Sequence, residues 1–159
     1  MTKESLAHAM EVHGSMVYRL ALCRMQNQMD AEDVYQDVFL RLLGKETEQW
    51  SDERAKAWLI RTTLNRCADI HRFRLRHPTL ALEEMTALAQ MPETQDAELW
   101  EAVSKLPETL RTVIHLYYGE GYATEEIAQI FRIPAVTVRT RLRRARLKLK
   151  DLLGGFDDG

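Results

Sequence analysis

The densest chemistry in the chain lies near its C-terminal end. Between Arg132 and Lys150 stand eight basic side chains (Arg132, Arg139, Arg141, Arg143, Arg144, Arg146, Lys148, Lys150) and no acid. At helical spacing Val138, Leu142, Ala145 and Leu149 fall at i, i+4, i+7 and i+11, one apolar stripe that must face a core. The opposite face, at about 100° per residue, carries Val136, Thr140, Arg143 and Leu147. Arg139 and Arg146 flank it on one side, Thr137, Arg141 and Arg144 on the other. Guanidinium groups read guanine edges, small apolar groups meet the thymine methyl, and Thr and Arg hold phosphate oxygens. Val136, Arg139, Thr140 and Arg143 are therefore the candidates for base edges, and Thr137, Arg141 and Arg144 for phosphates. A merely solvated face would mix both signs of charge. Ahead of this helix the pattern predicts a shorter one, with Ile127, Ala128 and Phe131 inward, and the tight turn Arg132-Ile133-Pro134. Short helix, turn and basic second helix make a helix-turn-helix.

Two further constellations stand in the first half. Arg61, Asn65, Asp69 and Arg72 lie at i, i+4, i+8 and i+11, with Trp58 and Arg76 close to the same stripe. Cations and an amide with an aromatic at one end suit single-stranded or partly opened nucleic acid. The same spacing also fits a helix stitched by local salt bridges around a core Trp. Asp33, Gln36 and Asp37, at i, i+3 and i+4, form an acidic face away from Val34, Val38, Phe39 and Leu42. Calcium binding fails there, because Val34 stands where the third acidic ligand of an EF-hand loop belongs and Arg41 where its last Glu belongs. A solvated face or a docking surface for a basic partner remains.

The elements that position these groups read as helices throughout, with no sustained period-two alternation and so no expected sheet. Helices are expected over 6–25, with Val17, Leu20 and Met25 inside, then from Asp30, read as an N-cap, and over 53–74 after a loop at 44–52. In the second half they are expected over 99–105, over 108–118 behind Pro107 and closed by Gly119 and Gly121, over 125–131 capped by Thr124, and over 135–153. Segment 78–95, with Pro78 and Pro92 and weak periodicity, reads as a flexible linker with a short helical turn at 82–88. The fold class is all-α, with two small helical domains, 1–77 and 96–159, joined by that linker. Domains of this size bury little surface and are marginal alone.

Composition bounds the alternatives. Twenty-two basic against 24 acidic residues leave a formal net charge of -2 in 159 residues, which by itself speaks against a nucleic-acid binder. The sum hides a sorted order of acidic, basic, acidic and basic blocks. Cys23 and Cys67 cannot build a disulfide framework or a zinc site, and read as small buried hydrophobes in a reducing compartment, with a redox pair as the other reading. No signal peptide and no membrane-length apolar run is visible, so a cytoplasmic protein without membrane insertion is expected. His8, His13, His71, His77 and His115 show no ligand spacing. With no phosphate loop and no nucleophile–base pair, neither an enzyme nor a cofactor or metal is expected.

The stretches DAEDVYQDVFLRLL and AWLIRTTLNRCADIHR resemble the two hallmark helices of region 2 in bacterial RNA polymerase sigma factors. The stretch LPETLRTVIHLYYGEGYATEEIAQIFRIPAVTVRTRLRRARLKL resembles their region 4. Short length and the lack of intervening domains resemble the extracytoplasmic-function (ECF) group. The resemblance implies a promoter-specificity subunit that binds core RNA polymerase and promoter DNA. It implies that Asp33, Gln36 and Asp37 dock on the coiled coil of the largest polymerase subunit. It further implies that Trp58, Arg61, Asn65 and Arg72, with the loop 44–52, open the -10 element and hold a flipped base. The helix-turn-helix would read the -35 element, the apolar surface of the second domain would meet the polymerase flap, and the linker would run near the RNA exit path. An anti-sigma factor is a common further partner in the group. Many members have Gly where this chain has Arg132. A left-handed backbone there costs a non-Gly residue about 1 kcal/mol, so a slightly altered turn is expected. The joint 26–29 is short and individual. A stand-alone regulator using only the helix-turn-helix is the other reading, and it would need neither the acidic face nor the Trp58–Arg72 stripe.

Overall fold

The computed structural model describes residues 1–78 and 97–154. Among them every regular element is a helix. The expected linker, with its turn at 82–88, lies almost wholly outside the described residues. The chain divides into two compact units, Met1–Gln90 and Met91–Gly159.

The first unit is a three-helix bundle of α1 (Lys3–Met25), α2 (Gln28–Leu43) and α3 (Asp52–Arg76). Thr2 caps α1 by accepting the Ser5 N–H at 3.0 Å. Only two residues join α1 to α2. Gln26 turns the chain by taking a left-handed backbone (φ 56°), and Asn27 then caps α2, its Oδ1 accepting the Asp30 N–H at 3.1 Å. The expected cap, Asp30, is thus one turn inside the helix. Its carboxylate still meets the positive helix end, and it also pairs with both terminal nitrogens of Arg74 at 2.8 Å, tying the start of α2 to the end of α3. Ser51 caps α3. The core is Val17 and Leu20 from α1, Val34, Val38 and Leu42 from α2, and Leu59, Ile60 and Cys67 from α3, all essentially solvent-free. Cys23 is buried as well, and both cysteines are thiols. Thr63, the polar residue in this core, donates its hydroxyl to the Leu59 carbonyl at 2.6 Å, which removes most of the cost of burying it.

The second unit contains α4 (Ala97–Ser104), α5 (Glu108–Ile114), α6 (Thr124–Phe131) and α7 (Ala135–Leu152). The helix expected over 108–118 is present, but from His115 to Gly119 the chain is wound as a π turn. The Glu120 N–H reaches back to the His115 carbonyl at 3.0 Å. Gly121, at φ 79°, then reverses the chain. A Cβ on Gly119 would stand 3.4 Å from both the His115 Nδ1 and the Trp100 ring, so two aromatic rings lie against this stretch of backbone. His115 is a buried structural residue, its Nε2 3.1 Å from Glu120 Oε2. Thr124 does not cap α6. It occupies the first helical position, Ala123 is the cap residue, and Glu126 reaches back to accept the Ala123 N–H at 3.0 Å. Val113, Leu116, Ile127, Val138, Leu142 and Ala145 form the centre of the core.

Asn27 and Thr124 separate in a stability measurement. Asn27→Ala should cost about 1 kcal/mol in urea unfolding followed by circular dichroism. Thr124→Ala, which removes no cap bond, should change stability by less than about 0.5 kcal/mol.

Candidate nucleic-acid interface

The helix-turn-helix is built from α6 and α7. Ile127, Ala128 and Ile130 are the buried residues of α6. Phe131, expected inward, is only partly covered, and Ile130 is buried instead. Arg132 ends α6 with φ 58° and ψ 45°, a left-handed backbone. The Ile133 N–H then donates to the Ala128 carbonyl at 3.1 Å, the long closing bond of a Schellman turn. The altered turn expected from Arg132 is therefore absent. The chain keeps a glycine-type geometry and bears the strain of an arginine in it. Pro134, at ψ 145°, starts α7.

On α7 the inner stripe is as the spacing predicts, since Val138, Leu142, Ala145 and Leu149 are the buried residues. The opposite face is open. Val136 is 59% and Leu147 55% exposed, and Arg139, Thr140, Arg143 and Arg144 are exposed beside them. Thr137 and Arg141 are partly covered on the flank. Thr140 donates its hydroxyl hydrogen to the Val136 carbonyl at 2.9 Å, so it presents outward a methyl group and acceptor lone pairs. Five of the seven chosen residues are thus exposed on one continuous outer surface, and Thr137 and Arg141 lie at its edge.

The α3 stripe is more heavily paired. Asn65 and Arg72 are exposed, Arg61 and Trp58 partly covered. Arg72 is held by Asp69 in an i,i+3 ion pair, so the salt-bridge reading of this spacing holds for that pair. Trp58 has a partner that the sequence reading did not single out. Trp50, in the loop before α3, lies 5.9 Å from it centre to centre, and the Arg54 guanidinium covers the Trp50 ring at 4.6 Å. No periodicity marks Trp50, because it precedes the helix cap and packs back from the loop. Close by, burial lowers the His13 pKa from its ordinary value, Asp52 opposing this and Lys56 and His8 adding to it. His13 is therefore neutral at pH 7.

On α2, Asp33 and Gln36 are exposed as expected. Asp37 is not simply part of the same open face. Its Oδ2 receives Arg41 Nε at 3.0 Å and Arg66 Nε at 3.1 Å, Arg66 belonging to α3. Leu40, 65% exposed, continues the face and is a residue the acid-centred reading passed over. In the second unit a groove of about 360 Å³ lies against Leu99, Trp100, Val103, Tyr118, Leu149 and Leu153. Among the described residues no helix is long and apolar enough to cross a membrane.

An open basic face on a helix-turn-helix, together with a separate three-helix bundle bearing one acidic and one cationic face, defines a two-part DNA-binding protein. Comparison with known families agrees and is more specific. Residues 9–77 match the family "Sigma-70 region 2" and residues 96–149 the family "Sigma-70, region 4". The RNA polymerase sigma factor SigV of Bacillus subtilis is 32% identical over 150 residues, covering 93% of this chain and 90% of that protein. The ECF RNA polymerase sigma factor SigE of Mycolicibacterium smegmatis is 32% identical over 151 residues, covering 89% of this chain but 58% of SigE. Among solved structures, CnrH in complex with the cytosolic domain of CnrY superposes with a TM-score of 0.70 at 27% identity, covering 98% of this chain and 92% of that one. The chain belongs to the sigma-70 family, in its ECF group, whose members direct RNA polymerase to specific promoters.

Replacing Arg132 by Gly should relieve the left-handed strain and raise the stability of the helix-turn-helix by about 1 kcal/mol, read from its thermal or urea midpoint. An unchanged or lower midpoint would mean that the Arg132 side chain contributes as much as its backbone costs.

Proposed function

We propose that promoter selection is divided among three surfaces, with the domain limits 1–77 and 96–159 and a connecting linker at 78–95. The α7 face is the -35 reader, with Val136, Arg139, Thr140 and Arg143 on base edges and Thr137, Arg141 and Arg144 on phosphates. The observation that carries this reading is the open outer surface of α7, free of acids from Ala135 to Lys150 and set directly opposite its buried stripe. A duplex major groove admits one α-helix, and this mixture of guanidinium, hydroxyl and apolar groups matches what base edges and phosphates offer.

On α3, Trp58, Arg61, Asn65 and Arg72 engage the opened -10 element. Extraction of a base costs a few kcal/mol of stacking. An aromatic pair at the loop, Trp50 against Trp58, supports the reading by offering a stacking surface, with Arg54 supplying positive charge beside it. Asp33, Gln36 and Asp37, continued by Leu40, dock on the polymerase coiled coil. The apolar groove of the second unit receives the polymerase flap. The protein acts in the cytoplasm, holds no cofactor and performs no bond chemistry, which the polymerase supplies. An anti-sigma factor is a further partner; the related CnrH is bound to the cytosolic domain of CnrY.

The full chain added to its core polymerase should start transcription at promoters that core alone ignores. Absence of any promoter-specific transcript across a library would sink the proposal. Arg143→Ala should cost about 1–3 kcal/mol at a single position of the upstream element if its guanidinium makes a bidentate guanine contact. A loss spread evenly over all sequences would make Arg143 a phosphate contact.

A further inference from the structure

The groove of the second unit lies where the chain leaves α7. Its floor is apolar, with Leu99 and Trp100 from α4, Tyr118 from the π turn, and Leu149 and Leu153 from the end of the chain's last helix. Leu99 is 37% and Tyr118 55% exposed, so the floor is open to solvent. The charged side chains that line it are both basic, Arg146 and Lys150, exposed on successive turns of α7. α7 stops at Leu152, and the Leu153 N–H still donates to the Leu149 carbonyl at 2.9 Å. Gly154 then takes a left-handed backbone, φ 81°, which turns the chain off the helix axis. After it the sequence reads Gly155-Phe156-Asp157-Asp158-Gly159. One large aromatic side chain and two carboxylates thus follow Leu153, itself part of the groove.

Phe156 is three residues beyond Leu153, a reach of at most about 10 Å. Along α7, at about 1.5 Å per residue, Leu149 lies about 6 Å back from Leu153 and Arg146 about 10 Å. A segment that doubles back from Gly154 therefore brings the Phe156 ring level with Leu149. The two carboxylates then come level with Lys150 and Arg146. Apolar ring meets apolar floor, and two negative charges meet two positive ones.

We propose that segment 155–159 occupies this groove in the free protein, with the Phe156 ring on Leu99, Trp100 and Leu149 and with Asp157 and Asp158 against Lys150 and Arg146. Burial of the ring drives the contact, ordering of the short segment opposes it, and the exposed ion pairs add little. The contact is therefore shallow and reversible. A partner that enters the groove must first expel Phe156, so the segment sets a threshold for binding there. That this partner is the polymerase flap rests on the reading of the groove given above; the contact of the segment with the groove does not.

The test reads the indole N–H signals of the three tryptophans in the 15N-labelled full chain. Trp100 lines the groove, and Trp50 and Trp58, in the other unit, are internal references. Phe156→Ser should move the Trp100 signal and leave the other two in place. The parent should show nuclear Overhauser contacts between the Phe156 ring and the Leu99 methyls, which are remote in sequence. Asp157→Asn with Asp158→Asn should move Trp100 part of the way in the same direction; no movement there strikes out the pairing with Lys150 and Arg146. A Trp100 signal unmoved by Phe156→Ser overturns the proposal. So does one that shifts with protein concentration and not with Phe156→Ser, which puts a second copy in the groove instead. Core polymerase affinity, measured in parallel, should rise about two- to fivefold for Phe156→Ser, the factor expected when the groove is filled in about half to four-fifths of the molecules. A moved Trp100 signal with unchanged core affinity keeps the contact and defeats the flap reading. Raised core affinity with an unmoved Trp100 signal defeats the contact.

Discussion

Both units depend on one constraint, which is that each helix has a single apolar stripe to bury and must leave its other face to a partner. Units of this size have little core to spare. In the first, Val17 and Leu20, Val34, Val38 and Leu42, and Leu59, Ile60 and Cys67 meet at the centre, each helix contributing one stripe. In the second, Val138, Leu142, Ala145 and Leu149 hold α7 against the rest. Every outward function is carried by whatever is left opposite those stripes. That is why the basic face of α7 and the exposed part of α3 lie on the outside of elements whose inner sides are almost completely dry.

Charge is organised on the same plan. A net charge of -2 arises by cancellation between surfaces of opposite sign, and part of that cancellation is physical contact. Asp30 with Arg74 and Asp37 with Arg66 both run from α2 to α3. The first pair is mostly buried, with side chains 15% and 16% exposed, so breaking one partner would strand a charge in a poorly solvated place. The second is about a third exposed, at 34% and 35%, although the meeting atoms Asp37 Oδ2 and Arg66 Nε are themselves buried. The two pairs thus differ in how far their side chains reach into water.

The helix-turn-helix shows how local strain and global order are balanced. Arg132 adopts a backbone that glycine would take at no steric cost, and the Ile133-to-Ala128 hydrogen bond closes the turn all the same. Packing of α7 against α5 and α6 sets the crossing of the two helices, and about 1 kcal/mol of backbone preference is too little to move it. Directly after α5, the helix continues as a π turn at His115–Gly119, with the His115 and Trp100 rings against Gly119.

The sequence by itself determined the helical class, the inner and outer faces of α7 and the separation of acidic and basic surfaces. These depend on spacing along one helix, and a period of 3.6 residues is written in order of residues alone. Tertiary structure decided what depends on which neighbours arrive. Asn27 and Asp30 are both good caps, and only the left-handed turn at Gln26 selects Asn27. Ile130, and not Phe131, is buried once α6 packs in the second unit. Trp50 finds Trp58 from a loop with no period to announce it. Asp37 reads as one more acid on an open face until α3 brings Arg66 against it. A side chain's partner across a helix interface has no signature in sequence, because the distance that matters is measured through space and not along the chain.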